Sequence, residues 1–399
     1  MATSLMDVQG VIDCAPDAIE LIERIQIEYL KRNQEFFHIV LSRADVALRD
    51  KVIAVYNDMD EGSRARVLLS TELGAVFSDS LEAAGSDPQN IQNMMAQRLY
   101  GLIAREHALT RLEAGEPASY LDAEAKSEVW SPLGDRVARR VDGEWRLSRS
   151  LIVGGHIVLD FDSPLAVEFV ARSGVFSQPI LPVSEEERVA LQAKLNETLG
   201  KIDAIEPVYG ALIRNFTRRI FIRKNAQTQD EAKSKKLRIS GSEHSSALPG
   251  AIKLLNFHFP ERTTIACTES LLHESIHVML ANYERFSGYF TSRGNSVRPV
   301  SPWSGNLIPN ASLSHAIFIY YACYRMFSAG AAPDSALSEA DRRYMASKIQ
   351  HFASGFLVSQ PLSGLFVDNK PLRDGMGACL DAMQDRVRAY YSEQLRKAA

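Results

Sequence analysis

Residues 273–277 read His-Glu-Ser-Ile-His. On a helix, side chains four residues apart share a face, so His273 and His277 can offer two imidazoles to one divalent cation. Glu274, one residue along, is the kind of group that serves such a site as general base or as partner of a ligand or bound water. With nine histidines in 399 residues, this pattern arises by chance in about one such chain in a hundred. Leu271, Leu272, Ile276, Val278 and Met279 fill the other faces, as a metal helix set into a core requires. Two histidines satisfied by core hydrogen bonds are the plain alternative.

The pair chooses neither metal nor reaction; the third ligand does. Three imidazoles suit zinc, and two or three histidines with open positions suit ferrous iron. After His277 comes Val-Met-Leu-Ala, which excludes the HExxHxxGxxH continuation of the metzincins. A later glutamate, Glu339, is available for a peptidase-like zinc site. The stronger candidate is His315, near the start of an apolar helix in ASLSHAIFIYYACY, where Ser312 or Ser314 would cap the first turn. A ferritin-like diiron site needs a second ExxH, and the chain has none.

Further residues join the pattern in order: Ser240-Gly241-Ser242, Leu248-Pro249-Gly250-Ala251-Ile252, Glu269 through His277, Ser301-Pro302-Trp303 and His315. This set, closely over 238–325, resembles the HExxH-motif proteins of peptide-modification gene clusters, a family of iron- and 2-oxoglutarate-dependent peptide β-hydroxylases. The resemblance implies Fe(II) held by His273, His277 and His315, with 2-oxoglutarate and O2 as co-substrates and a peptide or small amino-acid-derived molecule as substrate. Ser240, Ser242, Trp303 and Arg298 are then candidate pocket residues. The family carries arginines just after the SPW triplet, suited to a carboxylate. Here Ser304 and Ile308 stand in those places, and Arg298 or Arg293 of the same loop is the available substitute. The alternative to an oxygenase is a zinc metallohydrolase with Glu274 as general base.

The elements that must position these residues suggest an α+β chain, mostly helical. Residues 1–125 read as a helical N-terminal region, a support or dimerisation layer, because apolar residues recur every three or four positions. Residues 126–247 read as a mixed region with a small mixed or antiparallel sheet, where turn pairs such as Asp142-Gly143 separate short β-rich runs. RRIFIRKN and KKLRISGS are expected strands around a polar stretch 224–236, and SEEERVALQ opens a helix capped by Ser184. Residues 248–399 read as the helical metal-binding region, entered by a strand in LPGAIKLLNF. Arg214, Arg218 and Arg219 alternate with Phe216 and Phe221, which suggests a strand with one wet face. The run Lys233, Lys235, Lys236, Arg238 reads as a solvated loop, and His156 with Asp160 as a structural pair.

A net charge of -4 gives no sign of a nucleic-acid surface or polybasic anchor. No run reaches the length of a membrane span, and the first residues lack a secretory signal pattern. Cys14, Cys267, Cys323 and Cys379 are scattered without metal or disulfide spacing, so they read as reduced thiols in a cytoplasmic protein. A homodimer is a further expectation for the helical layer.

Overall fold

A computed structural model describes residues 3–82, 88–123, 126–172, 180–291, 298–366 and 372–398. Arg293 lies outside them. The fold is α+β and mostly helical. Among the described residues the N-terminal stretch forms α1 (Leu5–Ile12), α2 (Ala18–Arg43), α3 (Val46–Asp58), α4 (Glu61–Leu68), α5 (Thr71–Glu82), α6 (Pro88–Glu113) and α7 (Ser119–Ala123). The chain then groups into two compact units made of separated stretches. They do not follow the consecutive blocks 1–125, 126–247 and 248–399. Unit 1 comprises residues 1–29, 197–215 and 263–399, and unit 2 comprises 30–196 and 216–262.

Unit 2 combines helices with two sheets. Its helical core packs Phe37 and Leu41 of α2 with Val52 of α3, Val76 of α5 and Leu99 and Ile103 of α6. The first sheet is antiparallel, in the order β1 (Glu128–Trp130), β2 (Arg136–Val141), β3 (Glu144–Arg149). Asp142 and Gly143 join β2 to β3 with φ of 54° and 85°. A two-residue hairpin whose twist matches its strands needs positive φ at both positions, which Asp-Gly accepts.

The second sheet is mixed: β4 (Ile152–Val153), β5 (Ile157–Asp160), β6 (Arg219–Arg223), β8 (Ala251–Leu255) and β7 (Gly241–His244), in that spatial order. β5, β6 and β8 run parallel, with β4 and β7 antiparallel at the edges. All five residues of β6 are buried, so the wet face expected from its arginines is absent. A central parallel strand is covered on both sides. Arg219 is tolerated there because Asp160 Oδ2 accepts from its Nε at 2.6 Å and Ser163 Oγ accepts from Nη2 at 2.8 Å. Asp160 therefore partners Arg219, and Arg214 pairs with Asp203 in unit 1. The KKLRISGS strand begins only at Gly241, and the polar stretch before it holds a short helix, α11 (Gln229–Ser234). There Lys233 and Lys235 pair with Asp230 and Glu231.

Unit 1 is helical. After α8 (Pro164–Arg172) and the first part of α9 (Glu185–Ile205), which belong to unit 2, the chain forms the rest of α9, α10 (Pro207–Phe216), α12 (Thr264–Ser287), α13 (Asn310–Ala331), α14 (Glu339–Ser354) and α15 (Met376–Ala398). Ser184 caps α9 through Glu187 in both directions. The end of α9 anchors two later helices: Thr198 Oγ1 donates to the Thr264 carbonyl at 3.2 Å, and Lys201 meets Asp341 at 2.8 Å. The N-terminal stretch is fastened to α13 and α10. Tyr321 donates to Asp13 Oδ1 at 2.7 Å, Tyr209 donates to the Ile12 carbonyl at 2.9 Å, and Arg325 and Arg386 both reach Asp13. Among the described residues no helix is long and apolar enough to cross a membrane.

Candidate metal centre

α12 starts at Thr263, whose hydroxyl accepts from the Ala266 amide at 3.3 Å. From Cys267 to Glu284 every residue is buried except Glu269, His273, His277 and Ala281. Their spacing of four draws one half-buried stripe down an otherwise enclosed helix. α13 repeats the arrangement: between Leu313 and Tyr324 only Ala316 and Tyr320 are half-buried. Proline sits at the N-cap of α13 as Pro309. Neither Ser312 nor Ser314 caps this helix; both lie inside it, and Ser314 Oγ donates back to the Ala311 carbonyl at 2.9 Å.

These two helices bring the expected histidines into a row. The His273 and His277 ring centroids are 5.1 Å apart, and those of His277 and His315 are 5.5 Å apart. His277 Nδ1 stands 3.2 Å from His315 Nδ1. His315 Nε2 faces Glu284 Oε2 at 3.3 Å, and Glu284 Oε1 accepts from the Phe290 amide at 2.9 Å. A carboxylate only accepts, so His315 Nε2 carries its proton and a neutral His315 turns an Nδ1 lone pair toward His277. Two nitrogens on one ion, each about 2.0–2.1 Å from it, stand roughly 2.9–3.4 Å apart between right-angle and tetrahedral geometry. The observed 3.2 Å falls in that interval. A carboxylate behind a ligating imidazole is also the usual device for fixing its tautomer. The spacing of His277 and His315, with Glu284 behind His315, therefore fits two coordination positions of a divalent metal. His273 stands one ring further along the row, and its side chain, 31% exposed, has room to turn.

Acidic groups dominate the surroundings. Glu274 is buried, with Oε1 4.0 Å from His273 Nε2. Burial pushes the Cys323 thiol well above its ordinary range, and the Glu269 and Glu274 charges push it the same way. Tyr320 is raised too, by burial first and then by Cys323 and Glu269. Both groups stay neutral, leaving the carboxylates to favour a bound cation.

The remaining expected residues are placed less centrally. Trp303 stacks on Tyr320 at 4.4 Å, and its Nε1 donates to the Phe352 carbonyl at 3.0 Å. Tyr320 in turn lies 6.4 Å from the His273 ring, edge-on. Trp303 thus backs the wall beside His273. Its loop is a small hairpin closed by a bridge between Val300 and Leu307. Within it, the Ser304 amide donates to Ser301 Oγ, and Ser304 Oγ accepts from the Asn306 amide. Arg298 is exposed. Ser240 and Ser242 belong to unit 2, where Ser240 Oγ accepts from Arg262 at 3.4 Å and Ser242 pairs with Leu254 in the sheet. Glu339, the carboxylate considered for a zinc site, is exposed in the first turn of α14 and pairs with Arg343 four residues on. Beside the histidines stand Glu274, near His273, and Glu284, which faces His315. Sequence reasoning passed over Glu284, although it lies two helical turns after His277 and hence on nearly the same face.

No known protein-family model matches this chain, and no curated protein matches it.

Proposed function

We propose that this chain is a mononuclear non-haem Fe(II) oxygenase that hydroxylates a peptide or amino-acid-derived substrate in a biosynthetic pathway, with His273, His277 and His315 as ligands. The observation that carries the reading is the 3.2 Å approach of two imidazole Nδ1 atoms, one of them held from behind by Glu284. Three protein ligands leave open positions, which ferrous iron uses to activate O2. The protein's own part is to orient: Glu284 fixes His315, Trp303 braces Tyr320 beside His273, and the apolar flanks of α12 and α13 keep water out. The residues fit 2-oxoglutarate less well than they fit the metal. Ser304 is engaged within its own turn, Ile308 carries no charge, and Arg298 is exposed. We therefore assign the co-substrate no contact. Four free thiols accord with a reducing, cytoplasmic setting.

A second reading, a zinc hydrolase, is favoured by the buried Glu274 carboxylate 4.0 Å from His273 Nε2, which suits a general base for a metal-activated water. It would take His315 as third ligand, since Glu339 is spoken for at the surface. The two readings separate when metal-free protein receives Fe(II) and then 2-oxoglutarate under anaerobic conditions. A weak visible charge-transfer band, absent in His273→Ala and His315→Ala, is the outcome expected of the oxygenase. Absence of any band would remove 2-oxoglutarate from the reading; zinc retained through dialysis beside it would favour the hydrolase, and Fe(II) retained instead would leave an oxygenase with another electron source.

A further inference from the structure

The half-buried positions of α12 and α13 mark the partly open side of the seam that holds the histidines. From Cys267 to Glu284 they are Glu269, His273, His277 and Ala281, and from Leu313 to Tyr324 they are Ala316 and Tyr320. The two helices pass this seam in opposite directions. His277 stands beside His315, whereas His273, one turn earlier in α12, stands beside Tyr320, later in α13. The α12 row therefore runs from Ala281 past two imidazoles to Glu269. Together the six positions bring a carboxylate, two imidazoles and a phenol ring, and no ammonium or guanidinium.

The other carboxylates near the histidines are taken up. Glu284 faces His315, and Glu274 is buried beside His273. Glu269 differs: among the described residues it makes no hydrogen bond and no ion pair. Its charge nevertheless reaches Tyr320 and Cys323 of α13, so the carboxylate lies along the seam rather than out in open solvent. A charge partly withdrawn from water costs free energy until an opposite charge or donors meet it. Glu269 is also too far away to join the ion of His277 and His315. Eight residues of helix separate it from His277, a rise of roughly 12 Å.

A carboxylate beside an aromatic ring suits a cation, which gains a charge-assisted hydrogen bond from the one and the ring quadrupole of the other. Tyr320 is held in place for that contact by Trp303, stacked on it at 4.4 Å.

We propose that Glu269 selects the substrate by binding its alkylammonium group, at the end of the seam away from His315. The proposal rests on the metal reading of His273, His277 and His315, whichever reaction follows. From midway between His273 and His277 to Glu269 the helix rises about 9 Å. The ammonium is therefore several bonds from the reacting carbon, as on a lysine-like side chain or at an amino terminus a residue or two away.

Hydroxamates test this, because they chelate a protein-bound divalent ion and leave the remainder of the molecule to lie along the seam. Aminocaproic hydroxamate carries an ammonium on an alkyl arm, and heptanoic hydroxamate has a methyl group in its place. Glycylglycine hydroxamate and propionylglycine hydroxamate are the matching pair for an amino terminus. In calorimetric titrations of the zinc-loaded full chain, an ammonium probe should bind about threefold to tenfold more tightly than its neutral partner. The pair that shows the larger difference distinguishes side chain from terminus. Glu269→Gln should abolish the difference and bind the neutral probes as before.

Should Glu269→Gln prove unfolded by circular dichroism, the wild type decides alone. Pimelic monohydroxamate, with a carboxylate in place of the ammonium, should then bind about threefold more weakly than heptanoic hydroxamate. Equal affinity for charged and neutral probes, or an ammonium preference that survives Glu269→Gln, overturns the proposal and leaves the metal centre standing. Heptanoic hydroxamate that binds His273→Ala as tightly as wild type overturns the metal reading and this proposal with it.

Discussion

Glu284 meets His315 Nε2 with one carboxylate oxygen and accepts from the Phe290 amide with the other. It touches no metal in the proposed centre, so its effect passes through the orientation of His315. Glu284→Ala should therefore raise the dissociation constant for zinc or Fe(II) by about 10–100-fold, read by competition with a chromophoric chelator. An unchanged constant would reduce Glu284 to a loop anchor for Phe290. At this scale the sequence was informative wherever chemistry and spacing coincide. His273 and His277 could be read from a four-residue repeat, and His315 from a lone histidine on an apolar helix. Tyr320 could not: a tyrosine on an apolar helix looks like core until Trp303 is found stacked on it.

Elements were legible where a local signal fixes them. Ser184 with Glu187, the Asp142-Gly143 turn and the HESIH helix are set by a few adjacent residues, and each appears in the structure. β6 was not, because alternating arginine and phenylalanine is ambiguous in one dimension. Only the neighbouring strands and Asp160 reveal that Arg219 is buried. The wall beside His273 depends on a comparably non-local contact. At the end of α14, a Cβ added to Gly355 would stand 2.2 Å from Trp303 Cε2. Gly355→Ala must move the indole and with it the Tyr320 stack, at a cost of about 1–3 kcal/mol. Urea denaturation should show the lowered midpoint, and an unmoved midpoint would mean the Trp303 loop yields freely.

On the scale of the molecule, sequence patterns divide a chain into consecutive blocks, since periodicity and composition carry no information about which distant stretches pack. The unit that holds the three histidines instead draws on residues 1–29 and 197–215 as well as 263–399. Tyr209 and Tyr321 hold the first of these stretches, and Thr198 and Lys201 hold α12 and α14. A fragment of residues 248–399 contains all three histidines yet lacks these partners. It should show little cooperative unfolding by circular dichroism and bind zinc no better than a denatured chain. A fragment that melts cooperatively would make the earlier stretches accessory.

Asp13 adds a matter of timing. Its carboxylate is held by Tyr321, Arg325 and Arg386, side chains that the ribosome delivers more than three-quarters of the chain later. Every residue of unit 2 has been synthesised by Arg262. During translation Asp13 and its neighbours must wait for these partners, so unit 1 is not closed around Asp13 until Arg386 has been made. Under the proposed function, capture of an ion by His273, His277 and His315 in a closed unit 1 follows the synthesis of Arg386, so the metal present after that point decides which ion is taken up.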